Sequence, residues 1–148
     1  MMRLIAVMAA CAMLGGCGDK AAAGVEGAWL RLPAVPGRPG AAYFHLRAGD
    51  RPQTLVAVST PAAIRAELHE SMGGSGGMMS MTPLRQVAVP AGDSVDFAPG
   101  GRHVMLFDVS PALKPGATAK LVLKFADGEA IETQAKVVGP GGSAPEAP

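Results

Sequence analysis

Short stretches in which apolar and polar residues alternate run through the chain from residue 25, and glycine, proline or aspartate closes each of them. Because side chains in a β-strand point to opposite faces in turn, this period-two pattern predicts strands with one buried face. No stretch of ten or more residues carries a helical stripe. The spacing therefore predicts an all-β domain, an antiparallel sandwich or barrel. The predicted strands are 25–32, 41–47, 54–59, 64–70, 84–89, 94–98, 102–108, 119–125 and 130–138.

Alternation within two of these strands places two histidines on the face turned away from the core. In strand 102–108, Val104 and Leu106 are expected to point inward, which leaves His103 and Met105 together on the other face. In strand 64–70 the inward residues are expected to be Ile64, Ala66 and Leu68, and the outward ones Arg65, Glu67 and His69. We therefore expect both imidazoles to be exposed.

The first 17 residues have the layout of an export signal. Arg3 supplies a positive start, and a short apolar core from Leu4 to Leu14 follows it. That core is too short for a membrane-spanning helix, which needs about 20 apolar residues. Residues 1–17 are predicted to be a signal peptide, because the closing Leu14-Gly15-Gly16-Cys17 resembles a lipobox that ends at a lipidated Cys17. The alternative is ordinary cleavage after the alanines at 21–23.

Composition constrains the chain beyond this leader. Residues 18–24 are predicted to be a short linker, residues 25–138 a single domain, and the glycine- and proline-rich residues 139–148 a disordered tail. A formal net charge of +1 without a basic cluster excludes nucleic acid as a partner. The two cysteines are Cys11, inside the leader, and Cys17. The domain therefore has no thiolate for a disulfide, a blue-copper centre or a nucleophile.

Methionines are concentrated in one part of the domain. The chain has nine, and the five outside the leader all lie between positions 72 and 105, in a segment that follows His69 and contains His103. These five are Met72, Met78, Met79, Met81 and Met105. Thioether sulfur favours Cu(I), and imidazole suits copper in either oxidation state. The alternative, methionine as adaptable core filler, would spread these residues through the strands.

The spacing of these residues resembles a known motif. His69 and Glu70 are followed by ten residues and then Met81, and a further 21 residues lead to His103-Val104-Met105. This pattern resembles the PCu(A)C family of periplasmic copper chaperones, in which methionine usually stands where this chain has Glu70. The resemblance covers residues 25–138. It implies that His69, Met81, His103 and Met105 hold Cu(I) in a cupredoxin-like antiparallel β-sandwich with Greek-key connections.

The same resemblance implies a function. A PCu(A)C-like protein would carry Cu(I) through the periplasm to apo-copper proteins, such as the dinuclear copper centre of cytochrome c oxidase or a partner copper chaperone. Such a protein is a carrier and not an enzyme, and the lipid on Cys17 would anchor it to a membrane. Two alternatives stay open at this point. One is a copper redox protein, although this chain lacks the cysteine or the extra histidines that such a protein would need. The other is a membrane-anchored lipoprotein interaction module without metal.

Overall fold

The computed structural model describes residues 21–73, 76–77 and 79–146, and their regular structure consists of ten β-strands. No helix long and apolar enough to cross a bilayer occurs in these ranges. The predicted leader, with Cys17, lies outside the described residues. The strands are β1 (Gly24–Arg31), β2 (Gly40–Arg47), β3 (Gln53–Ser59), β4 (Ala63–Gly73), β5 (Met79–Pro83), β6 (Val87–Val89), β7 (Ser94–Phe97), β8 (Arg102–Val109), β9 (Thr118–Phe125) and β10 (Ala130–Val138).

All ten strands join one continuous sheet in the order β5-β4-β8-β7-β2-β1-β10-β9-β3-β6, and β8 also pairs with β2. The pairs β1–β10 and β7–β8 are parallel, and the others are antiparallel. One cluster of buried side chains draws on both halves of this sheet, so the sheet folds over on itself around a shared core. The predicted all-β, cupredoxin-like class is confirmed, although one folded sheet stands in place of two separate ones. Fully buried leucines mark the core: Leu30, Leu46, Leu55, Leu106, Leu121 and Leu123.

The segment between His69 and the predicted strand 84–89 differs from the prediction. The predicted strands leave residues 71–83 as a connection between strand 64–70 and strand 84–89. Instead β4 continues to Gly73 and pairs with β5 in a hairpin, while the later strand is limited to Val87–Val89. Every residue of β5 is exposed. An edge strand without a buried face has no apolar alternation, so its sequence carried no signal.

Burial along β4 also departs from the prediction. Leu68 is buried as expected, but Ile64 is 84% exposed. The two residues share a face, as alternation requires. Ile64, however, lies at the start of the strand, on the rim of an open cleft that Val109 and Leu113 also line. The predicted facing was right, and the predicted burial of Ile64 was wrong because nothing covers that end of the face.

Candidate metal centre

Two histidines face each other across neighbouring strands. In the antiparallel pairing of β4 with β8, His69 lies directly opposite His103. The two ring centroids are 6.0 Å apart and the ring planes are inclined by 30°. A metal–nitrogen bond of about 2.0 Å, added to the ~1.2 Å from nitrogen to ring centre, lets two rings share one ion at separations up to roughly 6.4 Å. The observed separation lies within that limit.

Both rings are shielded from solvent, which corrects the expectation that they are exposed. His103 is 5% exposed, and the side chain of His69 is 12% exposed. Their face of the sheet forms the wall of a cleft instead of an open surface. Residues of β1 and β2, together with Pro140 and Gly141 after the last strand, line that cleft beside His103. A face turned away from the main core is therefore still covered.

Hydrogen bonds determine which nitrogen of each ring can accept a metal. His103 Nδ1 lies 3.0 Å from the carbonyl oxygen of Gly101, and His69 Nε2 lies 3.1 Å from Oε2 of Glu67. A carbonyl and a carboxylate only accept, so each of these ring nitrogens carries the proton and donates it. The lone pairs therefore lie on His69 Nδ1 and His103 Nε2. Within the described ranges, these two are the buried side-chain nitrogen and oxygen atoms left without a hydrogen-bond partner.

Such orphaned atoms are costly in a folded protein. A buried polar atom without a partner destabilises the fold by about 1–3 kcal/mol. A metal ion bound by both nitrogens would remove that cost, and a ring whose other nitrogen donates to a carbonyl or carboxylate is the usual form of a metal-binding histidine. The two atoms therefore fit a metal ion.

Glu67 is the charged neighbour of this pair. Its hydrogen bond with His69, and to a smaller extent the charge of Arg65, hold the pKa of the Glu67 carboxyl below its ordinary value. The carboxylate thus stays ionised and able to accept from the His69 ring. Of the two glutamates that flank His69, Glu67 bonds to its ring, whereas Glu70 pairs with Arg102.

Met105 and Met81 lie on the same face as the histidines. Met105 follows His103 by two residues on β8 and lies opposite Glu67, while Met81 of β5 lies opposite Ser71 of β4. Side chains on one face repeat about every 7 Å along a strand. Met105 and Met81 are therefore one step to either side of the histidine pair. Met81 is 57% exposed, whereas Met105 is half-buried.

A cleft of about 380 Å³ connects these groups. His103, Met81, Met105 and Met79 all line it, whereas His69 lies outside its lining. Met72 pairs with Ser80 and points to the opposite face of the hairpin, and Met78 lies outside the described residues. Three of the four predicted ligands thus share one cleft, and the ring of the fourth lies beside His103.

The donor set favours a soft ion. Among the described residues, no group of three or more His, Cys, Asp or Glu side chains is placed to hold a metal. Zinc and calcium sites are built from such groups, whereas thioethers with imidazoles suit copper. This part of the protein therefore offers one kind of metal centre, made of two imidazoles and neighbouring thioethers.

Strands β1 and β2 supply an aromatic wall that the sequence did not predict. Arg31 Nη2 donates to the Tyr43 hydroxyl at 2.6 Å, and the rings of Tyr43 and Trp29 lie 4.4 Å apart. Burial raises the pKa of Tyr43, so its hydroxyl stays protonated. Arg31 and Tyr43 line the cleft of the methionines. The alternation of side chains along β1 and β2 was visible in the sequence. Only the pairing of β2 with β8, however, brings Arg31 and Tyr43 to the site.

Residues 24–137 match a family model described as "Putative lipoprotein LpqE-like". The chain belongs to this LpqE-like family. A curated relative, "Putative lipoprotein Lxx21020" of Leifsonia xyli subsp. xyli, is 30% identical over 80 residues. The match covers 54% of this LpqE-like chain and 48% of the relative, so it spans about half of that protein's length.

Solved structures resemble the LpqE-like chain over most of its length. The copper-bound PCuAC domain from PmoF2 has a TM-score of 0.66 at 24% identity and covers 82% of this chain and 96% of that domain. The solution structure of apo-DR1885 from Deinococcus radiodurans has a TM-score of 0.60 at 28% identity, with 94% and 93% covered. Its Cu(I) form has a TM-score of 0.54 at 32% identity, with 75% and 76% covered. The resemblance to PCu(A)C proteins predicted from the sequence is confirmed.

Proposed function

We propose that this protein binds one Cu(I) ion through His69, Met81, His103 and Met105. The observation that carries the proposal is the pair of buried, unpartnered imidazole nitrogens on adjacent strands, with thioethers on the same face. The similarity to the Cu(I) form of DR1885 supports the choice of metal. The ligands would be Nδ1 of His69, Nε2 of His103 and the two sulfur atoms.

The arrangement suits a carrier. Three of the four proposed ligands lie on β4 and β8 inside the sheet, whereas Met81 lies on the exposed edge strand β5. Thioether bonds to copper are weak enough to exchange, so an acceptor's ligands can displace Met81 first and then take the ion from the cleft. No covalent bond of the protein forms or breaks in this transfer. We therefore infer a copper chaperone and not an enzyme.

The acceptors and location belong to the same proposal. We infer delivery to apo-copper proteins, such as the dinuclear copper centre of cytochrome c oxidase or a partner copper chaperone. The lipoprotein family supports a membrane-anchored position outside the cytoplasm, which we place in the periplasm with the lipid on Cys17. The domain limits at residues 25–138 and the disorder of residues 139–148 stay predictions.

Titration with Cu(I) under reducing conditions tests the metal site. We expect a stoichiometry of about one ion per domain, and X-ray absorption should show a shell of nitrogen and sulfur because histidine and methionine both contribute. Zinc should compete poorly, since thioethers are rare zinc ligands. An absence of binding, or a shell of nitrogen alone, would contradict the proposal, and absence would favour the metal-free lipoprotein module.

Protons should compete with copper for the imidazole nitrogens. Only a neutral imidazole binds metal, whereas a thioether is not protonated at ordinary pH. Affinity for Cu(I) should therefore fall as the pH is lowered. The limiting slope should approach about two protons per copper, one for each histidine. Competition titrations corrected for the competitor's own protonation measure it, and a flat profile would exclude histidine ligands.

A further inference from the structure

A chain of three side chains leads to His69 along the site face of β4 and β8. The Arg65 guanidinium lies 3.9 Å from the centroid of the Phe107 ring, directly across the two strands. Arg65 Nη1 donates to Oε1 of Glu67, and the other carboxylate oxygen, Oε2, accepts from His69 Nε2 at 3.1 Å. We call Phe107, Arg65 and Glu67 the brace. Arg65 contacts Phe107 with the face of its guanidinium and Glu67 with Nη1, and Glu67 uses one carboxylate oxygen for Arg65 and the other for His69. The contacts therefore do not compete.

We propose that Glu67 is a positioning residue for copper, which fixes the His69 ring so that Nδ1 is the ligating atom. This inference rests on the proposed function, in which His69 is a copper ligand. A carboxylate accepts from one ring nitrogen only, and this selects the tautomer with its lone pair on the other nitrogen. The negative charge also makes that lone pair more basic and a better donor to the ion. Glu67 thus acts on copper through His69.

Arg65 has a supporting part in the brace. A planar guanidinium can stack on an aromatic ring while its edge donates to a carboxylate, which a lysine ammonium cannot reproduce. Phe107 therefore holds Arg65 flat, and Arg65 holds one oxygen of Glu67 while the other points at the histidine. Without Arg65 the carboxylate would be free to rotate away from the ring.

The two histidines are fixed by different means. His103 donates Nδ1–H to the backbone carbonyl of Gly101, whereas His69 donates Nε2–H to a side chain. The two rings should therefore bind copper through different atoms, Nε2 for His103 and Nδ1 for His69. A substitution can remove the side-chain acceptor of His69, but it cannot remove the backbone carbonyl that holds His103.

Glu70 provides a matched control. It is adjacent to His69 in the sequence and carries a carboxyl group like Glu67, but alternation places it on the opposite face, where Oε1 lies 3.2 Å from Arg102 Nε. Glu70→Gln makes the same chemical change in the residue next to His69. It leaves the hydrogen bond to the His69 ring intact. Comparing Glu67 with Glu70 therefore separates ring positioning from general electrostatics.

The test compares Glu67→Ala, Glu67→Gln and Glu70→Gln in the otherwise unchanged protein. Cu(I) affinity is measured by competition with a chromophoric chelator. Glu67→Ala should weaken binding about 10–100-fold, the usual effect of removing a group that orients a metal ligand. Glu67→Gln keeps an acceptor oxygen without the charge, so it should restore part of the loss. Glu70→Gln should stay within about twofold of the wild type, because Glu70 points to the face of β4 opposite the His69 side chain.

Nitrogen-15 spectra of the histidine rings in the copper-free protein report which ring nitrogen carries the proton. That position would not change if Glu67 only stabilised the fold. The wild type should show His69 protonated at Nε2, with a proton protected from exchange with water. That signal should weaken in Glu67→Gln and disappear in Glu67→Ala, while the His103 signals stay unchanged. Glu67→Gln preserves the size and shape of the side chain, so it carries the test if Glu67→Ala does not fold.

Three results would overturn the inference: protonation of wild-type His69 at Nδ1, no loss of affinity in either Glu67 variant, or an equal loss in Glu70→Gln. A failure of the proposed function looks different. In that case the wild type itself binds no Cu(I), whereas the copper-free spectra still report whether Glu67 holds the His69 ring.

Discussion

Replacing His103 with alanine should lower the affinity for Cu(I) about 100-fold or more, a loss of about 3 kcal/mol in binding free energy. His103 is buried on the inner strand β8, and its ring donates to the backbone carbonyl of Gly101. No other described nitrogen is placed to replace its Nε2 lone pair. Met81→Ala should cost less, because Met81 is exposed on β5 and Met79 lines the same cleft as an alternative thioether.

Competition titrations of both variants against one chelator give this ranking. The control is His45→Ala, since His45 lies on β2 with Nδ1 2.6 Å from Asp96 Oδ1 and does not line the cleft. His45→Ala should bind Cu(I) like the wild type. Equal losses from His103→Ala and Met81→Ala would contradict the ranking, and thermal unfolding of the copper-free variants shows whether either loss reflects misfolding.

Leu106→Ala should destabilise the copper-free protein by about 2–5 kcal/mol, because truncating a fully buried leucine loses apolar contact and leaves a cavity. Leu106 is fully buried on β8, between Met105 and Phe107, whose side chains point to the site face. A domain of this kind is stable by only about 5–15 kcal/mol. The loss is therefore a large part of the total free energy of unfolding.

Denaturant unfolding measures this loss, and Ile64→Ala is the matched control. Ile64 is apolar and lies on a neighbouring strand, but it is exposed. Its truncation should change the free energy of unfolding by no more than about 0.5 kcal/mol. A cost for Ile64→Ala as large as that of Leu106→Ala would mean that the rim of the cleft beside Ile64 is closed in solution.

Alternation in the sequence predicted which residues share a face but not how deeply each face is buried. His103 and Met105 do lie together, opposite in direction to Val104 and Leu106, as the period of two requires. Burial depends on what packs over a face, and that is decided by strands distant in the sequence. Side chains of β1 and β2 line the cleft beside the buried His103, whereas nothing covers Ile64, so the exposures of His103 and Ile64 were predicted wrongly.

The proposed metal ligands could be identified from the sequence by their fixed intervals, whereas most of the contacts that support them could not. Glu67 reaches His69 along one strand, and a two-residue interval is a visible signal. Arg65 reaches Phe107 only through the register of β4 against β8. The glycine-rich segment gave no strand signal, so the placement of Met81 in a hairpin also depended on pairing.

The exposure of Met81 and Met79 on β5 also makes the site sensitive to oxidation. Oxidation converts a thioether into a sulfoxide, which is polar and offers oxygen in place of soft sulfur. Solvent-exposed methionines are the first to react, whereas the half-buried Met105 is partly shielded. The exposure that would let an acceptor reach a bound copper ion thus leaves the same sulfur atoms accessible to peroxide. Oxidation would therefore begin at the methionines of the edge strand β5, and the two histidines would remain intact after it.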